Sequence, residues 1–236
     1  MRYFLVIPAA GSGRRLAATI PKQYAELGSS TVLEHALAPF EADADCAGIV
    51  VALAAGDATW PAIAARRPRA IEVAAGGAER AHSVQSALHM LATRARADDW
   101  VMVHDAARPC FTGSDLARLK EELAGDEVGG LLAVPLADTL KRGAADVDRP
   151  SVEATIDRVG LWRAATPQVF RLGLLRHALD AALAAGKLPT DEAQAMEWAG
   201  HAPRLIAGRT DNIKVTTADD LALARAIIAS RTGEQV

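Results

Sequence analysis

The chain has few of the residues that would place it in a secreted or membrane class. Its 236 residues include only two cysteines, Cys46 and Cys110, which lie far apart and in no C-x-x-C arrangement. This pattern predicts reduced, unpaired thiols in a cytosol. No apolar stretch approaches the ~18 residues of a membrane span, and Met1 leads directly into a short apolar run that ends at Pro8, unlike a signal peptide. We therefore expect a cytoplasmic protein without a membrane segment.

Aromatic residues are also few, and the net charge is small. Aromatics make up only 4% of the chain, so the core must be mostly Ala, Val, Leu and Ile. The net charge is −3, with 26 basic and 29 acidic residues, which disfavours a general nucleic-acid binder because such proteins are usually basic or carry a basic stripe. An anion site must therefore be local. One local excess stands near the N-terminus, where Arg2, Arg14, Arg15 and Lys22 are accompanied by Glu26 alone.

Short apolar runs alternate with helical patterns along the chain. Strict alternation predicts a mostly parallel, twisted sheet with helices on both faces, which binds ligands at the carboxyl ends of its strands. The length allows one domain, which we place over residues 1–236. Strands are predicted at 3–8, 48–54, 70–74, 100–104, 130–134, 203–207 and 212–215, and helices at 31–40, 58–66, 80–91, 114–123, 172–185, 191–199 and 217–231.

The segment 136–160 breaks this rhythm. It is polar and charged, with Gly143 and Pro150 near its middle, and is typical of two extended strands around a turn. A hairpin of this kind has little core of its own. We expect a protruding β-arm that lies on another surface, such as a second subunit.

The first chemical motif, PAAGSGRR from Pro8 to Arg15, directly follows the first predicted strand. Small residues let backbone N–H groups approach a polyphosphate, and arginines add fixed positive charge. A dinucleotide fingerprint needs a third glycine where Leu16 stands, and a Walker A loop needs a G-K-[ST] ending that is absent. A plain strand-to-helix turn is the structural alternative. The two arginines and the downstream Lys22 favour the anion site.

Two further motifs follow strands. Asp105, in HDAAR, is well placed to hold a Mg²⁺ ion that bridges phosphates, although a helix N-cap is the structural alternative. Gly76 and Gly77 expose backbone groups that could contact a base edge, or they form a simple turn. Lys22, which follows Pro21, is either a phosphate ligand or a solvated loop residue.

In this order the motifs resemble the 2-C-methyl-D-erythritol 4-phosphate cytidylyltransferase family. The match runs from residue 6 to about 228, and ten weak motifs in sequence make it specific. They are PAAGxGxR, PKQ, LEH, GGxxRxxSV, HDAARP, DTxKR, DRxGLW, TPQ, TDEA and DNIKVT.

This resemblance implies a Rossmann-like nucleotidyltransferase fold and the reaction of CTP with methylerythritol phosphate, which gives 4-diphosphocytidyl-methylerythritol and pyrophosphate. The reaction is a step of the non-mevalonate route to isoprenoids. The resemblance also implies Mg²⁺ as cofactor, and a homodimer in which each arm reaches into the neighbouring site. Some relatives carry a fused cyclase domain, which we do not expect within these 236 residues.

Roles for individual residues follow from motif position. The resemblance implies that Arg15 and Lys22 stabilise the transition state, while Arg158 and Lys214 position the acceptor phosphate. It places Asp105 at the metal and the substrate. The remaining implied contacts are Thr139 and Arg108 near the acceptor, Gly11 and Gly13 in the nucleotide loop, and backbone at Ala9, Ala10 and Gly77 with the Ser83 hydroxyl at cytosine.

The sequence differs from the usual family pattern at two positions, and three other functions remain as alternatives. Ala78 stands where the family usually has aspartate, and Val159 where it has asparagine. A cytidylyltransferase for another polyol phosphate, such as ribitol 5-phosphate, would differ only at the acceptor pocket. A sugar-1-phosphate nucleotidyltransferase usually has a Thr-Arg pair where Arg14 and Arg15 stand. A non-catalytic nucleotide-binding regulator would not need Lys22 together with the distant Arg158 and Lys214.

Overall fold

The computed structural model describes residues 1–11, 20–144 and 149–232. The strands are β1 Tyr3–Pro8, β2 Glu26–Leu27, β3 Ser30–Thr31, β4 Cys46–Leu53, β5 Glu72–Ala75, β6 Trp100–Val103, β7 Gly129–Pro135, β8 Leu140–Gly143, β9 Val152–Ile156, β10 Trp162–Arg171 and β11 Arg204–Ala207. Seven of them form the central sheet, in the order β11-β7-β10-β6-β1-β4-β5. The helices are α1 Val32–Glu41, α2 Trp60–Ala64, α3 Arg80–Leu91, α4 Gly113–Glu122, α5 Leu172–Ala184, α6 Glu192–Trp198 and α7 Ala218–Thr232.

The predicted α/β architecture is confirmed. Strand β1 pairs in parallel with β4 and β6, β4 with β5, and β11 with β7. Only β10 among the seven strands runs antiparallel, and it does so against both β6 and β7. The sheet is therefore mostly parallel, with its ligand-binding end where the parallel strands finish.

Alternation along β1 divides the core between the two faces of the sheet. Leu5 and Ile7 point to one face, where α1, α2 and α4 supply buried side chains such as Phe40. Phe4 and Val6 point to the other face and pack with buried residues of α3, α5 and α6. This period of two is what an extended strand imposes. Both faces of the sheet are consequently buried, as a parallel sheet requires.

Several predicted elements need correction. Residues 212–215 form no strand, and their contacts with the rest of the fold include the hydrogen bonds from Val215 N to Ala107 O, 2.8 Å, and from Asn212 Nδ2 to Thr166 O, 2.9 Å. Helix α2 is shorter than the predicted 58–66. Helix α6 begins one residue later than predicted, because Asp191 caps it and its carboxylate accepts from the Gln194 N–H. The ten-residue strand β10 was not anticipated.

The segment 136–160 does contain two antiparallel strands, β8 and β9. They form a sheet of their own, separate from the central sheet. Cys46 and Cys110 are both unpaired and buried. Among the residues described, none of the helices is both long enough and apolar enough to cross a membrane.

Candidate active site

The loop after β1 is held from outside by one glutamine. Gln23 is buried, and its side-chain amide donates to Ala9 O at 2.8 Å and to Gly11 O at 3.4 Å. The Ala9 N–H is itself bonded to Ala52 O at the end of β4, at 2.8 Å. Because Gln23 follows Lys22 in one short 3-10 turn, the same contact sets Lys22 beside the loop.

A second loop, after β5, lies against the first. A Cβ atom at Gly76 would come within 2.2 Å of the Ala10 Cβ, so only glycine allows this approach. The Ser83 hydroxyl accepts from the Gly77 N–H at 3.0 Å and donates to Glu79 O at 3.3 Å. Its proton is therefore used inside the loop, and the oxygen retains one lone pair for a donor on a ligand.

Asp105, at the end of β6, is surrounded by cations. Its Oδ1 accepts from Arg80 Nε at 3.0 Å, and its Oδ2 lies 2.8 Å from Lys214 Nζ and 3.5 Å from Arg108 Nε. Burial alone would raise the pKa of Asp105, but the charges of Arg80, Lys214 and Arg108 hold it well below its usual range. The carboxylate is thus ionised at all ordinary pH values, and the helix N-cap alternative is excluded because turns and not a helix follow Asp105.

The backbone of Asp105 is fixed by its neighbours. Its N–H donates to the Thr166 hydroxyl at 3.0 Å, and that hydroxyl pairs with His104 Nδ1 at 3.0 Å. His104 Nε2 lies 3.2 Å from Arg108 O, a carbonyl that can only accept. His104 must therefore carry its proton on Nε2, and Thr166 donates to Nδ1. Since burial lowers the pKa of His104 to about 4, the ring is neutral and structural.

Two adjoining cavities meet at this cluster. The larger encloses about 640 Å³ and the smaller about 220 Å³. Both are lined by Arg80, Asp105 and Lys214. The larger is further lined by residues 8–11, Lys22, Gln23, 77–79, Ser83, Ala106, Ala107 and Thr216, and the smaller by Arg108, 164–166, Gln168, Thr190 and Asp191.

Most of the residues selected from the sequence come together here. Ala9, Ala10, Gly11, Lys22, Gly77 and Ser83 line the larger cavity, Arg108 lines the smaller, and Asp105 and Lys214 line both. Thr139 and Arg158 lie beside the β8–β9 hairpin, are exposed, and line neither cavity within this chain. Gly13 and Arg15 lie outside the described residues.

Four side chains of the site had no role in the sequence interpretation. Arg80 and Glu192 form a bidentate ion pair, with nitrogen–oxygen distances of 2.6 and 3.0 Å. Thr166 orients Asp105, and Gln23 holds the loop after β1. Each belongs to one of the ten motifs, so the motif itself was the signal. Their partners are distant in sequence, and no spacing rule could identify them.

The donor set fits a Mg²⁺ ion only in part. Within residues 1–11, 20–144 and 149–232 there is no group of three His, Cys, Asp or Glu side chains placed to hold a metal. Both oxygens of Asp105 already contact cations. Mg²⁺ commonly binds through one or two carboxylates together with substrate phosphates. The residues therefore fit a Mg²⁺ only if a triphosphate supplies most of its ligands, and Asp105 as its protein ligand stays a prediction.

Comparison with known proteins identifies the relatives of this chain. Residues 3–230 match the family model described as 2-C-methyl-D-erythritol 4-phosphate cytidylyltransferase. The chain is 54% identical to the protein of that name from Pseudomonas entomophila over 220 residues, which cover 93% of this chain and 92% of the relative. It is also 54% identical to the protein of that name from Pseudomonas aeruginosa PAO1, with 93% of both chains covered.

Solved structures agree with these matches. The chain is similar to a 4-diphosphocytidyl-2C-methyl-D-erythritol synthase, with a TM-score of 0.82, 40% identity, and coverage of 96% of this chain and 98% of the other. It is also similar to the 2-C-methyl-D-erythritol 4-phosphate cytidylyltransferase of Francisella tularensis, with a TM-score of 0.80, 35% identity, and coverage of 96% and 100%.

Proposed function

The chain belongs to the 2-C-methyl-D-erythritol 4-phosphate cytidylyltransferase family, and we propose that it transfers the cytidylyl group of CTP to 2-C-methyl-D-erythritol 4-phosphate and releases pyrophosphate. The product is 4-diphosphocytidyl-2-C-methyl-D-erythritol, in the non-mevalonate route to isoprenoids. One observation carries the proposal: two cavities adjoin at Arg80, Asp105 and Lys214, so two substrates can meet there. The names of the relatives do not favour ribitol 5-phosphate as acceptor.

The larger cavity has the features that a nucleoside triphosphate needs. Ala9, Ala10 and Gly11 border it on one side, and the segment from Gly77 through the first turn of α3 to Ser83 borders it on the other. The free lone pair of Ser83 and nearby backbone carbonyls favour the exocyclic amine of cytosine, which is a donor, over the oxygen of uracil. Lys22 faces the same cavity and supplies positive charge for the phosphates. We assign this cavity to CTP.

The smaller cavity is assigned to the acceptor. Arg108 and Lys214 line it and provide two cations for a phosphate monoester, and Thr190 and Asp191 offer polar groups for hydroxyls. Because Lys214 and Asp105 also line the larger cavity, the acceptor phosphate is held close to the α-phosphate of CTP. Such alignment of two reactants lowers the entropic part of the barrier.

The reaction requires charge neutralisation rather than a general base. A phosphate monoester with a second pKa near ~6 is largely dianionic at neutral pH. One of its oxygens attacks the α-phosphorus, a new P–O–P bond forms, and pyrophosphate leaves with the electrons of the broken bond. Lys22 and Arg15 counter charge on the α-phosphate and the leaving group, while Lys214 and Arg108 hold the attacking phosphate. When bound, Mg²⁺ would supply further neutralisation of the triphosphate.

Substrate identity is tested by pyrophosphate release. The protein is given each nucleoside triphosphate with Mg²⁺ and either methylerythritol phosphate or ribitol 5-phosphate, and the products are identified by mass. We expect CTP to exceed UTP by at least ~10² in kcat/KM, because a polar mismatch in a buried site is costly. Comparable turnover with UTP, or with ribitol 5-phosphate, would contradict the proposal.

We further propose a homodimer that exchanges its β8–β9 arms. Arg158 and Thr139 are exposed beside a hairpin that forms a separate two-stranded sheet. In the dimer, Arg158 of one subunit completes the acceptor cavity of its partner. This arrangement would explain why a hairpin with little core of its own is retained.

Arm exchange is tested by complementation. Lys22→Ala and Arg158→Ala homodimers should both be nearly inactive. In a mixed dimer, one site carries both defects and the other carries neither. Random reassortment makes about half of the dimers mixed, so co-refolding should restore roughly a quarter of all sites. If mass measurements confirm mixed dimers and activity is not recovered, Arg158 acts within its own chain.

A further inference from the structure

The guanidinium of Arg80 joins three motifs that are far apart in sequence. Arg80 is the first residue of α3, and its Nε donates to Asp105 Oδ1 at 3.0 Å. Its two terminal nitrogens donate to Glu192, Nη1 to Oε1 at 2.6 Å and Nη2 to Oε2 at 3.0 Å. Three donors of one planar group are thus divided between two carboxylates. This geometry fixes the guanidinium in a single orientation.

Glu192 itself is withdrawn from the cavities. Its side chain is only 3% exposed, and it lines neither cavity, whereas Arg80 lines both. Glu192 begins α6. The start of this helix is held independently by Gln168, which accepts from the Ala193 N–H at 2.8 Å and donates to Asp191 Oδ2 at 2.9 Å. Any effect of Glu192 on a substrate must therefore pass through Arg80.

The sharing of the Arg80 donors between Asp105 and Glu192 matters because Asp105 contacts three cations. Arg80 contacts Oδ1, while Lys214 and Arg108 contact Oδ2. An arginine fork matches a carboxylate bidentately. Without a negative charge at Glu192, the fork of Arg80 would gain by turning onto both oxygens of Asp105. It would then compete with Lys214 for Oδ2.

We propose that Glu192 is a positioning residue for the acceptor cavity. By holding Arg80 in a bidentate pair, it confines Arg80 to one oxygen of Asp105 and leaves the other oxygen to orient Lys214 and Arg108. The inference rests on the proposed function, because its effect is read in the KM of the acceptor phosphate. It assigns a role in acceptor binding to a buried carboxylate that contacts no substrate.

The test compares Glu192→Gln, Glu192→Asp and the control Glu197→Gln. Glu197 lies on the same helix and is exposed, so its substitution makes the same charge change away from the cavities. For Glu192→Gln we expect the acceptor KM to rise about tenfold or more, while the CTP dissociation constant, measured by calorimetry without acceptor, changes less than about threefold. Glu197→Gln should match wild type in both measurements.

The two Glu192 variants separate charge from packing. Glutamine keeps the shape of glutamate and loses its charge, while aspartate keeps the charge and loses a methylene group. A positioning charge predicts that Glu192→Asp retains a lower acceptor KM than Glu192→Gln. A purely structural role predicts the reverse order, and that order would overturn the inference. If Glu192→Gln does not fold, Glu192→Ala takes its place as the variant without the charge, and an acceptor KM for Glu192→Ala equal to that of Glu197→Gln would overturn the inference.

Failure of this inference is distinct from failure of the proposed function. If wild-type protein binds CTP but releases no pyrophosphate with methylerythritol phosphate, the proposed acceptor is wrong. If wild type turns over both substrates and all three variants share its acceptor KM, the proposed function stands and Glu192 has no positioning role.

Discussion

The two ends of the central sheet carry ion clusters that differ in charge balance. At the amino end, Lys120 Nζ lies 2.9 Å from Asp43 Oδ2 and 2.5 Å from Asp45 Oδ2. The N-terminal ammonium of Met1 adds a contact of 3.3 Å to Asp45. Two cations meet two carboxylates there, Asp45 is 43% exposed, and water can screen the charges.

At the carboxyl end the charges do not balance. Arg80, Arg108 and Lys214 contribute three positive charges to the cluster, and Asp105 and Glu192 contribute two negative charges. The two carboxylates are only 9% and 3% exposed. Cations held close together without full compensation repel one another. The amino end therefore serves stability, while the carboxyl end is arranged to receive anions.

The largest expected effect comes from removing one cation at each end. Lys214→Met and Lys120→Met both keep the aliphatic stem and delete the charge. We expect Lys214→Met to lower kcat/KM for the acceptor by ~10²–10³, because each such cation is worth on the order of 3–4 kcal/mol in the transition state. Lys120→Met should stay within about twofold of wild type. Steady-state pyrophosphate release with methylerythritol phosphate measures both.

One outcome would contradict this comparison of the two lysine variants. If Lys120→Met lowers kcat/KM as much as Lys214→Met, the effect reflects global stability and not local charge. Circular dichroism of both variants at the assay temperature is the necessary control, since each must be folded when its rate is measured.

A smaller effect is expected from pH. Burial lowers the pKa of His104 at the carboxyl end to about 4, whereas an unfolded histidine titrates near ~6.5. Between these values the unfolded state binds more protons, so stability falls as pH falls through this window. From about pH 7 to about pH 5 the free energy of unfolding should drop by on the order of 2 kcal/mol from this group. Urea unfolding at several pH values measures the slope.

Two histidine variants isolate that contribution. His104→Gln should flatten the slope, because glutamine can donate to Arg108 O and does not titrate. His177→Gln is the matched control, since His177 is exposed on α5, and it should leave the slope unchanged. An unaltered slope in His104→Gln would mean that other groups govern acid unfolding.

The regular elements of the fold were predictable from the sequence, while an irregular strand was not. Helix α3 and strand β1 begin and end at the predicted residues because hydrophobic periodicity alone defines them. The helix predicted at 31–40 also starts close to the predicted residue, where Thr31 and Glu34 form a capping box. Strand β10 was missed because Arg163 and the Thr166-Pro167-Gln168 stretch interrupt its apolar pattern, and proline usually argues against a central strand. Its pairing shows an irregularity between Ala164 and Gln168.

The residues of the candidate site that lie just after strands were predictable from the sequence. Asp105 and Gly77 are each the second residue after a parallel strand, so the topology places them at the same edge of the sheet. Arg80, Glu192 and Thr166 act through contacts between distant segments, such as the 112 residues that separate Arg80 from Glu192. Such contacts depend on how helices pack on the sheet. Local sequence carries no signal for that packing.

The smallest expected effect concerns stability. We expect Lys120→Met and Lys214→Met to rank in the opposite order from that of their losses of activity. In thermal or urea unfolding, Lys120→Met should lose on the order of 1 kcal/mol, since one of its two carboxylate partners, Asp45, is 43% exposed and that pair is screened by salt. Lys214→Met should lose still less, or gain stability, because its removal relieves repulsion among three cations. The variant that costs the most activity would then cost the least stability, as expected for an active site that gives up stability for function.

Raising the salt concentration should shrink the Lys120 effect first, because Asp45 is exposed while Asp105 is buried. A Lys214→Met protein clearly less stable than Lys120→Met would mean that Lys214 mainly compensates Asp105, and the carboxyl end would then not be overcharged.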